Sequence, residues 1–222
     1  MKSIAISSYL APIQGSHSTY STRVHLWQTG AKHECTLHFL HMLPPDIIVD
    51  PYELIDLHHS FNIFGVSNLE LPVSAVQDFG TVLLLNASLP NRNENDIDIT
   101  IDIPIHIRYG VPSSHNSHKT IEVKPPASFW ACPTGSSEYV YDFPDIPSEL
   151  YSPLKRAWPH PVSFFSAESM STDTISIPVG GLEDLFYVEL GTVGVIIVAF
   201  LYLLQKSVVV ARTLQSQHFH ED

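Results

Sequence analysis

The stretch Asn95–Pro112, "NDIDITIDIPIHIRYGVP", decides how the chain folds. Isoleucine takes every odd position from Ile97 to Ile107, while the even positions from 98 carry Asp98, Thr100, Asp102, Pro104, His106 and Arg108. A period of two puts the isoleucines on one face of a strand and the polar set on the other, as a half-buried β-strand requires. Pro104 has no N–H to give to a ladder, so it marks an edge position or a bulge. His106 and Arg108 share the polar face beside that irregularity. They point toward a partner or toward water.

Segments of the same character lie on both sides. "RVHLW", "ECTLHFLHML", "FNIFGV", "FGTVLLL", "KTIEV", "EYVYDF", "VSFF" and "TISIPV" are rich in β-branched and aromatic residues, and clusters of Pro, Asn, Asp and Ser separate them. Seventeen prolines leave little room for long helices in this region. Only "DPYELIDLHHS" has helical character, with Pro51 suited to a first turn. The expected fold is mainly β: one antiparallel β-sandwich or open barrel of about seven to nine strands.

Composition narrows the function. Of 222 residues 44% are apolar, enough for a core, and the formal charge of −12 argues against nucleic acid, whose phosphates call for clustered Lys and Arg. Two cysteines, Cys35 and Cys132, cannot build a four-ligand zinc knuckle; they form one disulfide or stay as buried thiols. The thirteen histidines are scattered. His38 and His41 fall on opposite faces of a strand, adjacent His58 and His59 do the same, and His106 has no fixed neighbour in sequence. Asp96, Asp98 and Asp102 read as a solvated strand face, with a Ca²⁺ site as the lesser alternative. No hydrolase elbow, metalloprotease helix, phosphate loop or dinucleotide fingerprint is present, so no catalytic residue, metal or cofactor is expected.

One segment stands apart. Leu185–Leu204, "LFYVELGTVGVIIVAFLYLL", is as long as the roughly 20 residues that cross a bilayer core. Its thirteen Leu, Ile, Val and Phe residues favour insertion by on the order of 4–8 kcal/mol together, more than the roughly 3 kcal/mol cost of Glu189. Lys206 and Arg212 follow the run, which sets that end in the cytosol. Gly191 and Gly194 give the span a small-residue face where another helix can approach. The expected organisation is an N-terminal segment over residues 1–19, a lumenal β domain over 20–181, a transmembrane helix over 182–206 and a cytosolic tail over 207–222. The opening "MKSIAISSYLAPIQGS" has one lysine and a serine-broken apolar stretch, a poor signal peptide. Asn86-Ala-Ser88 is a glycosylation sequon on the lumenal side.

Three segments resemble one family. "LPPDIIVDPYELIDL" (Leu43–Leu57) is similar to its Val-Asp-Pro-Tyr-Glu-Leu segment, and "IPIHIRYGVPSS" (Ile103–Ser114) to its Pro-x-His-x-Arg-Tyr-x-x-Pro pattern. "ISIPVG" (Ile175–Gly180), just before the span, looks like its juxtamembrane Pro-Val-Gly. The family is PIG-X, the single-span accessory subunit of glycosylphosphatidylinositol mannosyltransferase I. The resemblance implies residence in the endoplasmic reticulum membrane, no catalysis of its own, and a multispanning catalytic partner of the PIG-M type. It also implies that Asp50, Pro51 and Tyr52, with Pro104, His106, Arg108 and Tyr109, either knit the domain together or meet that partner. A lumenal histidine-based metal enzyme and a single-span adhesion or cargo-receptor module are the alternatives.

Overall fold

A computed structural model describes residues 4–27, 35–89, 96–115, 117–131, 148, 151–152, 156, 162–165 and 171–218. Among these, eleven strands form three sheets whose pairings are all antiparallel. The four-stranded sheet runs β1 (Ile4–Ala11), β2 (His17–Trp27), β7 (Asp96–Ile107), β4 (Ile47–Ile48). The five-stranded sheet runs β10 (Val162–Phe165), β9 (Ala127–Ala131), β3 (Thr36–Leu43), β6 (Thr81–Ala87), β5 (Ser60–Phe64). β8 (His118–Val123) pairs with β11 (Asp173–Pro178). The helices include α1 (Pro51–Asp56) and the long α2 (Leu185–His218). The chain divides into two compact units, Met1–Val111 with Ser117–Val179, and Pro112–Asn116 with Gly180–Asp222.

In the first unit the isoleucine stripe does what its period requires. Ile97, Ile101, Ile103 and Ile105 are buried, while Ile99 and Ile107 are half-buried against the same core. Burying those four contributes at most about 6–12 kcal/mol before chain entropy is counted. That core also takes Tyr20, Val24 and Leu26 from β2 and Leu37, Phe39, Leu43, Leu83 and Leu85 from β3 and β6. Two sheets therefore share one interior, the arrangement of a sandwich. Ile121, Val123, Ile175 and Ile177 of the third sheet join it. The other face of the five-stranded sheet buries a second cluster, Leu40, Val82, Leu84, Phe129 and Ala131.

The strand count exceeds the expected seven to nine because β1, β4 and β9 carry weak signals. β1 is "IAISSYLA", whose serines break the apolar run, β4 has two residues, and β9 is the short "ASFWA". Residues 4–19, set apart in sequence as an N-terminal segment, form β1 and the start of β2. The expected strand "EYVYDF" lies outside the described residues.

The second unit contains the long helix. The Ser113 amide donates to the Gly180 carbonyl at 2.9 Å, and Leu182 donates back to the Ser113 carbonyl at 3.2 Å, just before α2. At about 1.5 Å per residue, the 34 residues of α2 span roughly 51 Å. Its mean hydropathy reaches 2.2 in a window with no buried residue, and it is the one described helix long and apolar enough to cross a membrane. It runs on past the expected limit at residue 206, through Lys206 and Arg212 to His218.

Candidate functional site

The site grows from the start of α1. Asp50 is extended (φ −80°, ψ 119°), and its carboxylate accepts the Tyr52 N–H at 2.9 Å while Pro51 fills the first helical position. Leu54 is fully buried and pegs the helix to the core. Two paired amides close the far end, His58 donating to the Ile55 carbonyl at 2.9 Å and His59 to that of Leu54 at 3.0 Å. This closure needs a left-handed residue, and His58 supplies it with φ 58°. The His59 Nε2–H then donates to the Asp102 carbonyl at 3.0 Å, tying the helix exit to β7.

β7 presents alternate amides to its two sides. Ile107 donates to the Ser16 carbonyl at 2.8 Å across one side, and Arg108 to the Asp46 carbonyl at 2.7 Å across the other. Even-numbered amides thus face away from β2. On that side β4 pairs only with His106 and Ile107, so Pro104 sits where no described strand asks for its missing N–H. The expected edge position is found inside a strand that is central elsewhere.

At the end of β7 the two polar side chains part company. The His106 Nε2–H donates to the Glu53 carboxylate at 2.8 Å. His17, directly opposite His106 on β2, brings its ring centroid to 4.7 Å. Arg108 turns inward and is only 3% exposed. Its guanidinium donates to three backbone carbonyls, Asn68 and Leu71 at 2.6 Å each and Val66 at 3.0 Å. Burial lowers the Arg108 pKa from its ordinary value, yet arginine stays charged in proteins. It is a cationic clamp on the 66–71 loop. Asp46, whose carbonyl holds the Arg108 amide, is itself buried and pairs through its carboxylate with Lys119 at 2.5 Å.

The third segment packs beside this cluster. A Cβ added to Gly110 would lie 2.8 Å from Cγ1 of Val179, so a larger residue there would have to displace the valine side chain. The segments around Glu53, His106 and Val179 thus gather at one end of β7, although they are far apart in sequence. Tyr52 and Tyr109 do not join the packing, being 77% and 73% exposed.

The remaining candidates lie elsewhere. Asn86 is half-buried in β6 between β3 and β5, at a cleft it shares with His58, His59, Ser88 and Thr100. Cys35 is buried and disulfide-bonded, while Cys132 lies outside the described residues. Gly191 and Gly194 line one face of α2 with Val195, Val198 and Ala199. On the acidic face Asp98 bonds the His25 ring at 2.7 Å, and Asp102 accepts the Ser21 hydroxyl at 2.6 Å.

Sequence reasoning missed His17, Glu53, Asp46 and Lys119 as members of this cluster. A reader holding the β2–β7 register would have found His17, because it faces His106 directly; without the register no local pattern marks it.

The PIG-X / PBN1 family model matches residues 13–208, which covers most of the first unit and most of α2. The chain belongs to the PIG-X/PBN1 family. Among its PBN1 relatives, "Protein pbn1" of Neurospora crassa is 28% identical over 191 residues, 78% of this chain and 36% of that protein. "Protein pbn1" of Schizosaccharomyces pombe is 28% identical over 179 residues, 77% of this chain and 50% of that protein. This PIG-X/PBN1 chain therefore spans half or less of the length of these curated relatives. A solved structure titled "AvmM Catalyzes Macrocyclization in Alchivemycin A Biosynthesis" aligns over 81% of the chain and 90% of its own, at 11% identity and a TM-score of 0.28, too low to indicate a shared fold.

Proposed function

We propose that this chain is the accessory, non-catalytic subunit of glycosylphosphatidylinositol mannosyltransferase I. One span holds it in the endoplasmic reticulum membrane, with the β unit lumenal and Lys206 and Arg212 on the cytosolic side. The observation that carries this reading is the family match over residues 13–208. The partner is the multispanning catalytic subunit of the PIG-M type, which adds the first mannose of the anchor precursor from dolichyl-phosphate-mannose. This chain binds and stabilises it.

The arrangement of the polar groups in these segments supports such a role. Asp50 is spent capping a helix and Arg108 clamping a loop, so each holds structure rather than facing a substrate. What the same segments offer outward is aromatic: the exposed rings of Tyr52 and Tyr109, the kind of residue that anchors protein interfaces. Within the membrane, the Gly191–Gly194 face of α2 admits close approach of a partner helix.

Removing the chain from cells is expected to lower the amount of the catalytic subunit and to stop first-mannose addition. A catalytic subunit that stays abundant and active without it would overturn the reading.

A further inference from the structure

We propose that His17, Glu53 and His106 form a binding site for a divalent transition metal, with zinc the ion their chemistry fits best. One ligand atom from each residue lies within 4.8 Å of the other two. A tetrahedral zinc with ligands at about 2.0–2.1 Å holds them roughly 3.3 Å apart, so closing the site takes side-chain shifts on the order of an ångström.

The framework around the three residues is already fixed. His17 and His106 are cross-strand partners. The Ile107 amide bonds to Ser16 while those of even-numbered residues face away, so the His17–His106 pair is of the non-hydrogen-bonded kind. Side chains stand closest in such pairs, with Cα atoms about 4.5 Å apart. Glu53 arrives from α1, whose start is set by the Asp50 cap and whose middle is pegged by buried Leu54. Two strands and a helix thus aim three donors at one point.

The donor set selects the ion. Two imidazoles and one carboxylate suit zinc with an open fourth position, whereas calcium and magnesium require oxygen. His17 is exposed, so water has access to that fourth position. Without metal, the His106 Nε2–H donates to Glu53. On binding, the ring proton moves from Nε2 to Nδ1 by exchange through solvent, the freed Nε2 lone pair goes to the metal, and the Glu53 oxygen that had accepted the hydrogen bond becomes a metal ligand. The ion then cross-links positions 17, 53 and 106 and stabilises the native form by mass action.

The test uses the full chain, purified in detergent without a histidine tag, stripped with chelator and given zinc chloride. One retained equivalent of zinc and a rise of several degrees in the unfolding midpoint are expected. His17→Ala should weaken zinc binding on the order of a hundredfold and abolish the rise. It should leave the midpoint in chelator unchanged, because His17 is exposed. Glu53→Gln supplies a second variant that keeps a hydrogen-bond acceptor for His106 while losing the anionic ligand. Absence of retained zinc, or zinc retained equally by both variants, would overturn the proposal; the latter would place the ion among other histidines.

Discussion

The His106 imidazole meets the Glu53 carboxylate at 2.8 Å although the two lie 53 positions apart in sequence, joining β7 to α1. Both side chains are partly exposed, at 25% and 36%, so solvent screens the pair and its charge contributes little. Geometry should matter more than charge. Glu53→Gln, which keeps an acceptor oxygen, is expected to change stability by less than about 0.5 kcal/mol, and Glu53→Ala to cost about 1 kcal/mol. Chemical denaturation of the metal-free chain measures both; equal losses would show that the acceptor is unimportant.

Arg108 makes the stronger demand. Its forked guanidinium reaches the carbonyls of Val66, Asn68 and Leu71 at once, which a lysine ammonium on a single stem does not reproduce. Arg108→Lys should therefore destabilise the chain by about 2–4 kcal/mol. Tyr109→Ala, one residue on, should leave the midpoint unchanged within about 0.5 kcal/mol while reducing recovery of the proposed catalytic partner in co-purification. A midpoint that falls as far for Tyr109→Ala as for Arg108→Lys would mean the tyrosine packs rather than docks.

His58 holds a left-handed conformation at the exit of α1, where glycine is the residue with no steric cost. His58→Gly is expected to stabilise by about 0.5–1 kcal/mol, less the extra flexibility glycine gives the unfolded chain. His58→Val should destabilise by more than that, since a β-branched residue tolerates this conformation poorly. Thermal unfolding of the two variants side by side decides the matter by sign.

Two buried histidines predict an acid response. Burial holds His38 and His41 down to about 4, against an ordinary value of 6.5. His38 stacks on Phe129 at 5.3 Å, and His41 packs against Tyr20 while its Nε2–H donates to the Lys124 carbonyl at 2.8 Å. Because the folded chain keeps both rings neutral, the unfolded chain binds more protons between pH 6.5 and 4. Stability from this source is complete above pH 6.5, falls through that window and levels off below about pH 4. The loss is on the order of 3 kcal/mol per histidine. His41→Gln should flatten the curve of stability against pH; an unchanged slope would count against a buried neutral ring.

The two faces of β7 differ in what they tolerate. Ile101 is 7% exposed in the core, so Ile101→Asp should cost several kcal/mol by burying an unpaired charge. Asp102 accepts the Ser21 hydroxyl, and an amide oxygen can do the same, so Asp102→Asn should cost under about 1 kcal/mol. Similar costs for the two would reverse the assignment of faces.

Three features were legible in the chain itself because each is written within a few residues of itself. The isoleucine period set the inner face of β7, Asp50-Pro51 set the start of α1, and the apolar run set the long helix. Arg108 shows the limit. Its acceptors are main-chain carbonyls in residues 66–71, and a carbonyl carries no mark in sequence that distinguishes one loop from another. β1 and β9 were equally hidden, since their short or serine-broken runs become strands only when neighbours supply hydrogen bonds and a core.

Sequence alone thus determined which faces are apolar, where α1 begins and which segment is suited to lipid. Tertiary structure alone decided that His17 stands opposite His106, that Glu53 swings in to meet them, and that Arg108 is buried while Tyr109 beside it is not. The reason is range: periodicity and capping act over a turn or a pleat, whereas register and clamp geometry are chosen by hydrogen bonds and packing summed over distant segments.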